Sequence, residues 1–233
     1  MECLINSIYP ATEGEGVLIG TPQIFVRFQG CFLGCANCDS KETWNPREAK
    51  SMSVEKVVEE ILNVGGGRVF RASITGGDPL NELNRESCLA LVKELKNKAF
   101  TLNVEASGDH VEEEIFRLVD FISWDFKTPS SGVKTDPDLL LQLIDEFPGK
   151  FQVKSVIADD EDFLKVFSVW EWIKKSRGKI SFPWCLTPSY CPGESFSPAW
   201  FEHVMKLNLD AGGPFRVIGQ QHKWIFGPDK RLV

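Results

Sequence analysis

Apolar positions along this chain switch repeatedly between two periods. In QIFVRF (23–28), Ile24, Val26 and Phe28 alternate with other side chains, the pattern of a strand. From Ser53, a good N-cap, the positions Val54, Val57, Val58, Ile61 and Leu62 keep helical spacing, and Gly65 to Gly67 ends the run. The alternation recurs. Strands are expected at 69–75, 100–105, 120–126, 150–157 and 179–186, and helices at 84–98, 110–119, 137–147, 160–176 and 198–210. Asp136 and Pro137 open the fourth helix, Gly178 stops the fifth, and Ser197-Pro198 opens the sixth, which Gly212-Gly213 closes. A last apolar piece at 215–219 leads into QQHKWIFG. Strands alternating with helices predict a parallel sheet with right-handed crossovers. Six such units predict an α/β fold, a partial (β/α)6-type barrel of parallel strands with helices outside. No linker divides the chain, so one domain over 1–233 is expected.

Composition narrows the partners. The chain has 233 residues, 42% of them hydrophobic, enough for one sizeable core, and its formal net charge is -7. That charge lacks the basic footprint of nucleic-acid binding, so a small molecule or a protein is the expected partner. No apolar run reaches the roughly 18 residues that a bilayer span needs, and no basic segment with an apolar core opens the chain. A cytoplasmic location without a membrane partner is therefore expected. The seven cysteines are expected as thiols, since an odd, scattered set does not read as a disulfide framework.

In parallel α/β folds the loops leaving the C-terminal ends of the strands share one face, where ligands bind. After the first strand come Cys31-x3-Cys35-x2-Cys38 and Asp39-Ser40, and after the second Thr75-Gly76-Gly77-Asp78-Pro79. Glu105-Ala106-Ser107-Gly108 follows the third; Ser123, Asp125 and Lys127 mark the fourth, Lys154 the fifth and Thr187-Pro188 the sixth. Their shared end points to one site. A structural zinc ion wants four closed ligands, commonly as two knuckles, and the second knuckle is missing. Cys185 and Cys191 are spaced wrongly for it and read, like Cys3 and Cys88, as buried thiols. Three thiolates instead leave one iron of a [4Fe-4S] cube open to a reactant.

Cys-x3-Cys-x2-Cys after the first strand, with Gly-Gly-acid-Pro after the second, resembles the radical S-adenosylmethionine (SAM) superfamily. The resemblance implies that Cys31, Cys35 and Cys38 hold a [4Fe-4S] cluster, that SAM chelates its open iron, and that a single electron releases a 5′-deoxyadenosyl radical. Gly76 and Gly77 would let backbone approach the methionyl ammonium, with Asp78 or neighbouring carbonyls accepting its hydrogen bonds. Asp78 stands where glutamate is usual and Asn37 where an aromatic is common. The implied cofactor set also includes Asp39, Ser107, Ser123, Asp125, Lys127 and Thr187. By residue type alone, Asp125 and Lys127 read equally as a structural ion pair.

The stretch from Ser7 to Cys31 is similar to the N-terminus of the 7-carboxy-7-deazaguanine synthase family. Tyr9, Pro10, Gly14, Glu15, Gly16, Gly20, Pro22, Arg27 and Cys31 fall in place, and Gln220-x-His222-Lys223 matches the closing motif. The resemblance implies conversion of 6-carboxy-5,6,7,8-tetrahydropterin to 7-carboxy-7-deazaguanine with loss of ammonia, in queuosine-type deazapurine synthesis, with SAM used catalytically. It implies substrate contacts from Thr12, Glu13, Gly14, Glu15, Arg27, Thr75 and His222. Ser40 stands where the family has a Mg²⁺-ligating threonine, and Glu13 where it has glutamine. A cluster loop at about 30–50, a C-terminal closing segment at about 214–233, a homodimer and an electron donor such as flavodoxin or ferredoxin complete the expectation. Two rivals remain: an activase of the same superfamily that installs a glycyl radical on a partner, and a non-catalytic zinc or iron–sulfur module.

Overall fold

The computed structural model describes residues 1–190, 197–227 and 229–233; Cys191 lies outside them. One sheet runs in the order β3-β1-β2-β4-β5-β6-β7-β8-β9. Its strands are β1 (Glu2–Thr12), β2 (Pro22–Phe28), β3 (Lys50–Ser53), β4 (Arg71–Gly76), β5 (Thr101–Ala106), β6 (Phe121–Asp125), β7 (Phe151–Ile157), β8 (Trp184–Pro188) and β9 (Arg216–Val217). From β2 to β9 every pairing is parallel. Between the strands lie α1 (Val54–Val64), α2 (Arg85–Asn97), α3 (Glu113–Leu118), α4 (Asp138–Glu146), α5 (Asp160–Arg177) and α6 (Pro198–Asp210), with α7 (Gln221–Phe226) near the end. None of these helices is long and apolar enough to cross a membrane.

Each parallel strand has two chemically different faces, which follow from the alternation of side chains along it. Val26, Ile74, Val104, Trp124, Val153 and Leu186 belong to a core shared with Val57, Leu91, Phe116, Leu143 and Val166 of the helices. The opposite phase is polar. Arg27, Thr75, Glu105, Asp125, Lys154 and Thr187 line one cavity, which six consecutive strands can do only if the sheet curls into a partial barrel. A second row on the same phase forms a buried belt. Asn103 Nδ2 donates to Ser73 Oγ at 2.8 Å, Ser123 Oγ to Asn103 Oδ1 at 3.1 Å, and Gln152 Nε2 to Ser123 Oγ at 2.9 Å. Mutual pairing makes this burial tolerable.

The architecture agrees with the sequence-based expectation, with local differences. Two antiparallel strands, β1 and β3, extend the sheet beyond its parallel part. β1 was hidden because a register shift between Ile5 and Ser7 breaks its alternation, and the rest of it is only partly covered. β8 starts at Trp184 rather than 179, since Pro183 has no N–H to give the ladder. α3 starts later than 110, where the His110 ring is taken up by Leu80 O and Asp109.

Candidate active site

The cysteine loop leaves β2 and is fastened at its stem. Gly30 N–H donates to Thr43 O at 2.7 Å, Cys31 N–H to Trp44 O at 3.2 Å, and the Gln29 amide to the carbonyls of Glu42 and Asn45. Its tip is tied to the loop after β6 by Ala36 N–H to Ser131 O, 2.8 Å. Burial raises the Cys31 and Cys35 thiols, so a cationic metal body is what would bring out their thiolates. Among the described residues no three His, Cys, Asp or Glu side chains converge as a single ion requires. Three cysteines on one loop, facing one cavity without converging, suit a multi-iron cube that keeps its thiolates apart.

Every residue singled out from the sequence as a ligand or contact, except Asp78 and Ser123, lines that cavity, whose volume is about 810 Å³. This lies toward the upper end of the ~300–1,000 Å³ typical of small-molecule sites. Asp78 is buried in the turn after β4: its carboxylate accepts from Leu80 N–H at 3.0 Å and from Ser107 Oγ at 3.3 Å. Ser123 belongs to the belt beneath. Gly76, at φ 135°, lies so close to the Phe28 backbone that no Cβ fits, and Gly77 N–H donates to Phe28 O at 3.0 Å. These glycines seat the second loop on the cysteine loop as well as lining the cavity.

The hairpin between β1 and β2 folds across the sheet to β7. Val17 N–H donates to Gln152 Oε1 at 2.8 Å, and Gly16, at φ 64°, leaves no room for a Cβ beside that amide. The C-terminal segment locks it from the other side: Gln221 N–H donates to Gly14 O at 2.9 Å, the His222 ring lies against Gly14, and Gln220 Nε2 reaches Glu15 Oε1 at 2.5 Å.

Charge divides the cavity. One wall carries Glu13, Glu15 and Glu105 around Lys154. Burial would raise the Glu15 carboxyl, but Lys154, the Gln220 amide and His222 outweigh it and hold the pKa at about 2. The other wall carries Arg27, whose Nη1 donates to Ser40 Oγ at 3.0 Å and Nη2 to Tyr9 Oη at 3.3 Å. Ser40 Oγ in turn donates to Asp39 Oδ1 at 3.0 Å. Lys127 pairs with Asp125; burial would lower the ammonium, yet the Asp125 carboxylate keeps it raised. Glu105, Lys154 and Gln220 were visible as polar positions but not as partners, and Tyr9 only within a motif. The missed signal is the polar phase of alternating strands, which also carries Ser73, Asn103 and Gln152.

Residues 12–119 match the 4Fe-4S single cluster domain family. A 7-carboxy-7-deazaguanine synthase of Leptospira interrogans is 30% identical over 98% of this chain and 97% of that one. The chain belongs to the 7-carboxy-7-deazaguanine synthase family. The synthase of Bacillus cereus is 32% identical over 66% of this chain and 65% of its own length. In structure, QueE from Escherichia coli superposes with a TM-score of 0.68 at 20% identity, covering 95% of each chain. A radical SAM methyltransferase from Sphaerobacter thermophilus shares the fold at TM-score 0.60 and 16% identity, over 84% of this chain and 66% of that one. The parallel-stranded fold is thus that of QueE and of radical SAM enzymes.

Proposed function

We propose that the protein converts 6-carboxy-5,6,7,8-tetrahydropterin to 7-carboxy-7-deazaguanine with loss of ammonia, using a [4Fe-4S] cluster and SAM, the latter regenerated in each turnover. The observation that carries this reading is one cavity in which a three-cysteine loop faces both an ionised acceptor, Glu15, and a partly buried guanidinium, Arg27. A carboxylated pterin offers complementary groups, an anionic carboxylate and a ring edge rich in N–H donors. When bound, the cluster and SAM supply one-electron chemistry that abstracts hydrogen from carbon.

In this reading Arg27 takes the substrate carboxylate as a charge-assisted fork. Glu15, Thr75 and the loop at Thr12, Glu13 and Gly14 receive the ring edge. Burial lowers the His222 imidazole, leaving a neutral ring to hydrogen-bond at the rim. The Lys127 ammonium and Asp125 carboxylate hold the amino-acid and ribose ends of SAM, with Gly76, Gly77, Ser107, Thr187, Asn37 and Asp39 around them; Asp78 and Ser123 support these contacts from beneath. Ser40 Oγ accepts one hydrogen bond and keeps a lone pair free, and beside the Asp39 carboxylate it offers the oxygen donors that Mg²⁺ prefers. A homodimer, and flavodoxin or ferredoxin as electron donor, complete the proposal.

Anaerobic reconstitution tests it. About four irons per chain, SAM cleavage and a deazapurine detected by mass after incubation with the carboxypterin, with yield raised by Mg²⁺, are expected. SAM cleavage without deazapurine would point to another reaction of the superfamily, and loss of the Mg²⁺ response alone would remove the metal from the proposal.

A further inference from the structure

Lys154 has no task in the reading above, yet it is held more firmly than most cations in the molecule. Its Nζ lies 2.6 Å from Glu105 Oε2 and 3.3 Å from Glu15 Oε2, with the side chain 15% exposed. The outer oxygens of both carboxylates are also engaged: Asn103 Nδ2 donates to Glu105 Oε1 at 2.7 Å and Gln220 Nε2 to Glu15 Oε1. An ionised carboxylate has about four acceptor positions, so each keeps capacity to spare, and both line the cavity.

The charges around Lys154 make its position necessary. Glu13 and Glu15 face it from the hairpin and Glu105 from β5, with His222 of the C-terminal segment acting on Glu15; Asp125 holds the register-paired position on β6 and Cys185 that on β8. Asp125 is already paired with Lys127. Three carboxylates would therefore share one enclosed wall, and like charges at such proximity cannot all ionise without a cation among them.

We propose that Lys154 is a positioning residue for substrate recognition: its ammonium fixes Glu15 and Glu105 as a rigid anionic acceptor pair for the N–H edge of a guanine-like ring. The proposal rests on the functional reading for the identity of that ring. It does not rest on it for the clamp, whose contacts all lie within the chain. A carboxylate held by two partners cannot swing to suit another ligand, so a ring whose adjacent ring N–H and amino group meet fixed acceptors is selected over one presenting acceptors there.

The test compares reconstituted holoenzyme at equal iron loading as wild type, Lys154→Met, Lys154→Arg and the double variant Lys154→Met/Glu105→Gln. Melting temperatures are taken from about pH 5 to about pH 8. Without the ammonium, the native carboxyl pKa values rise above their unfolded values, so stability is lost as pH rises through them. The deficit of Lys154→Met against wild type is therefore expected to widen with pH, to shrink in the double variant and to be largely recovered in Lys154→Arg. Affinity for 7-carboxy-7-deazaguanine is measured over the same range. Lys154→Met is expected to bind about tenfold more weakly at the acid end, where one carboxyl is protonated, with the ratio narrowing toward the alkaline end.

A melting deficit independent of pH, or a constant affinity ratio, would reduce Lys154 to a packing residue and overturn the proposal. If Lys154→Met does not fold, a double variant that folds and shows wild-type affinity overturns it equally. Failure of the wild type to bind the deazaguanine would remove the functional reading and the recognition half with it, while the melting series still decides the clamp.

Discussion

Glu13 meets only donors: Gly14 N–H at 3.0 Å, Glu15 N–H at 3.2 Å and Gln23 Nε2 at 2.7 Å. Burial, together with Glu105 and Glu15, nevertheless pushes its pKa up to about 7, against the pull of Lys154. A carboxyl whose native pKa is raised costs stability as pH climbs from the unfolded value, about 4.3, to the native one, and nothing further beyond. Glu13→Gln is thus expected to gain melting temperature relative to wild type between about pH 4 and pH 7 and then level off. A constant offset of about 1 kcal/mol against the variant is expected beneath that trend, since Gln23 would face a second amide NH₂. A pH-independent difference in melting curves would show that Glu13 ionises normally. At this scale the sequence already made Arg27, Glu15 and the three cysteines conspicuous. The pairing of Lys154 with Glu105 and Glu15 was not legible, because no local pattern relates residues 49 and 139 positions apart.

Elements were legible wherever their periodicity is uninterrupted. α1 begins after Ser53, whose hydroxyl accepts from Lys56 N–H, and α6 after Ser197, whose hydroxyl accepts from Trp200 N–H, as the sequence indicated. β1 escaped because of its bulge, and α7 because six residues make less than two turns. The N-terminus of α5 does more than cap. Asp159 Oδ1 accepts from Asp162 N–H at 2.9 Å, while the fully buried Asp162 carboxylate accepts from Ser130 N–H at 2.9 Å and Ala158 N–H at 2.8 Å. Asp162 thereby anchors the loop after β6, which carries Lys127 and touches the cysteine loop through Ser131. Asp159→Ala is expected to cost about 1 kcal/mol, the loss of an N-cap. Asp162→Ala strands two partly buried donors and is expected to cost roughly 2–3 kcal/mol in denaturant unfolding and to speed iron loss to a chelator. Equal costs for the two variants, with unchanged iron release, would refute the anchoring role.

For the whole molecule, the cluster pins a single loop whose main chain, among the described residues, is tied to other segments at its stem and at Ala36. A group that binds the native state and not the unfolded chain stabilises by mass action. Chelating the iron is expected to lower the melting temperature and to move the first proteolytic cut to residues 32–37, with the sheet intact; a first cut elsewhere would show that the loop stands without the cluster. What the order of residues determined by itself was local: strand and helix periods, caps, the three-cysteine spacing and the chemistry at each strand end. A parallel fold then placed those ends together, since every strand is re-entered from the same side. Only the tertiary structure decided that the strands' polar phase faces inward, that the hairpin at 13–21 reaches β7, and that Gln220 reaches Glu15 across 205 positions. The reason is physical: periodicity reports which faces of one element differ, whereas charge pairing depends on distances across the curled sheet that no single element encodes.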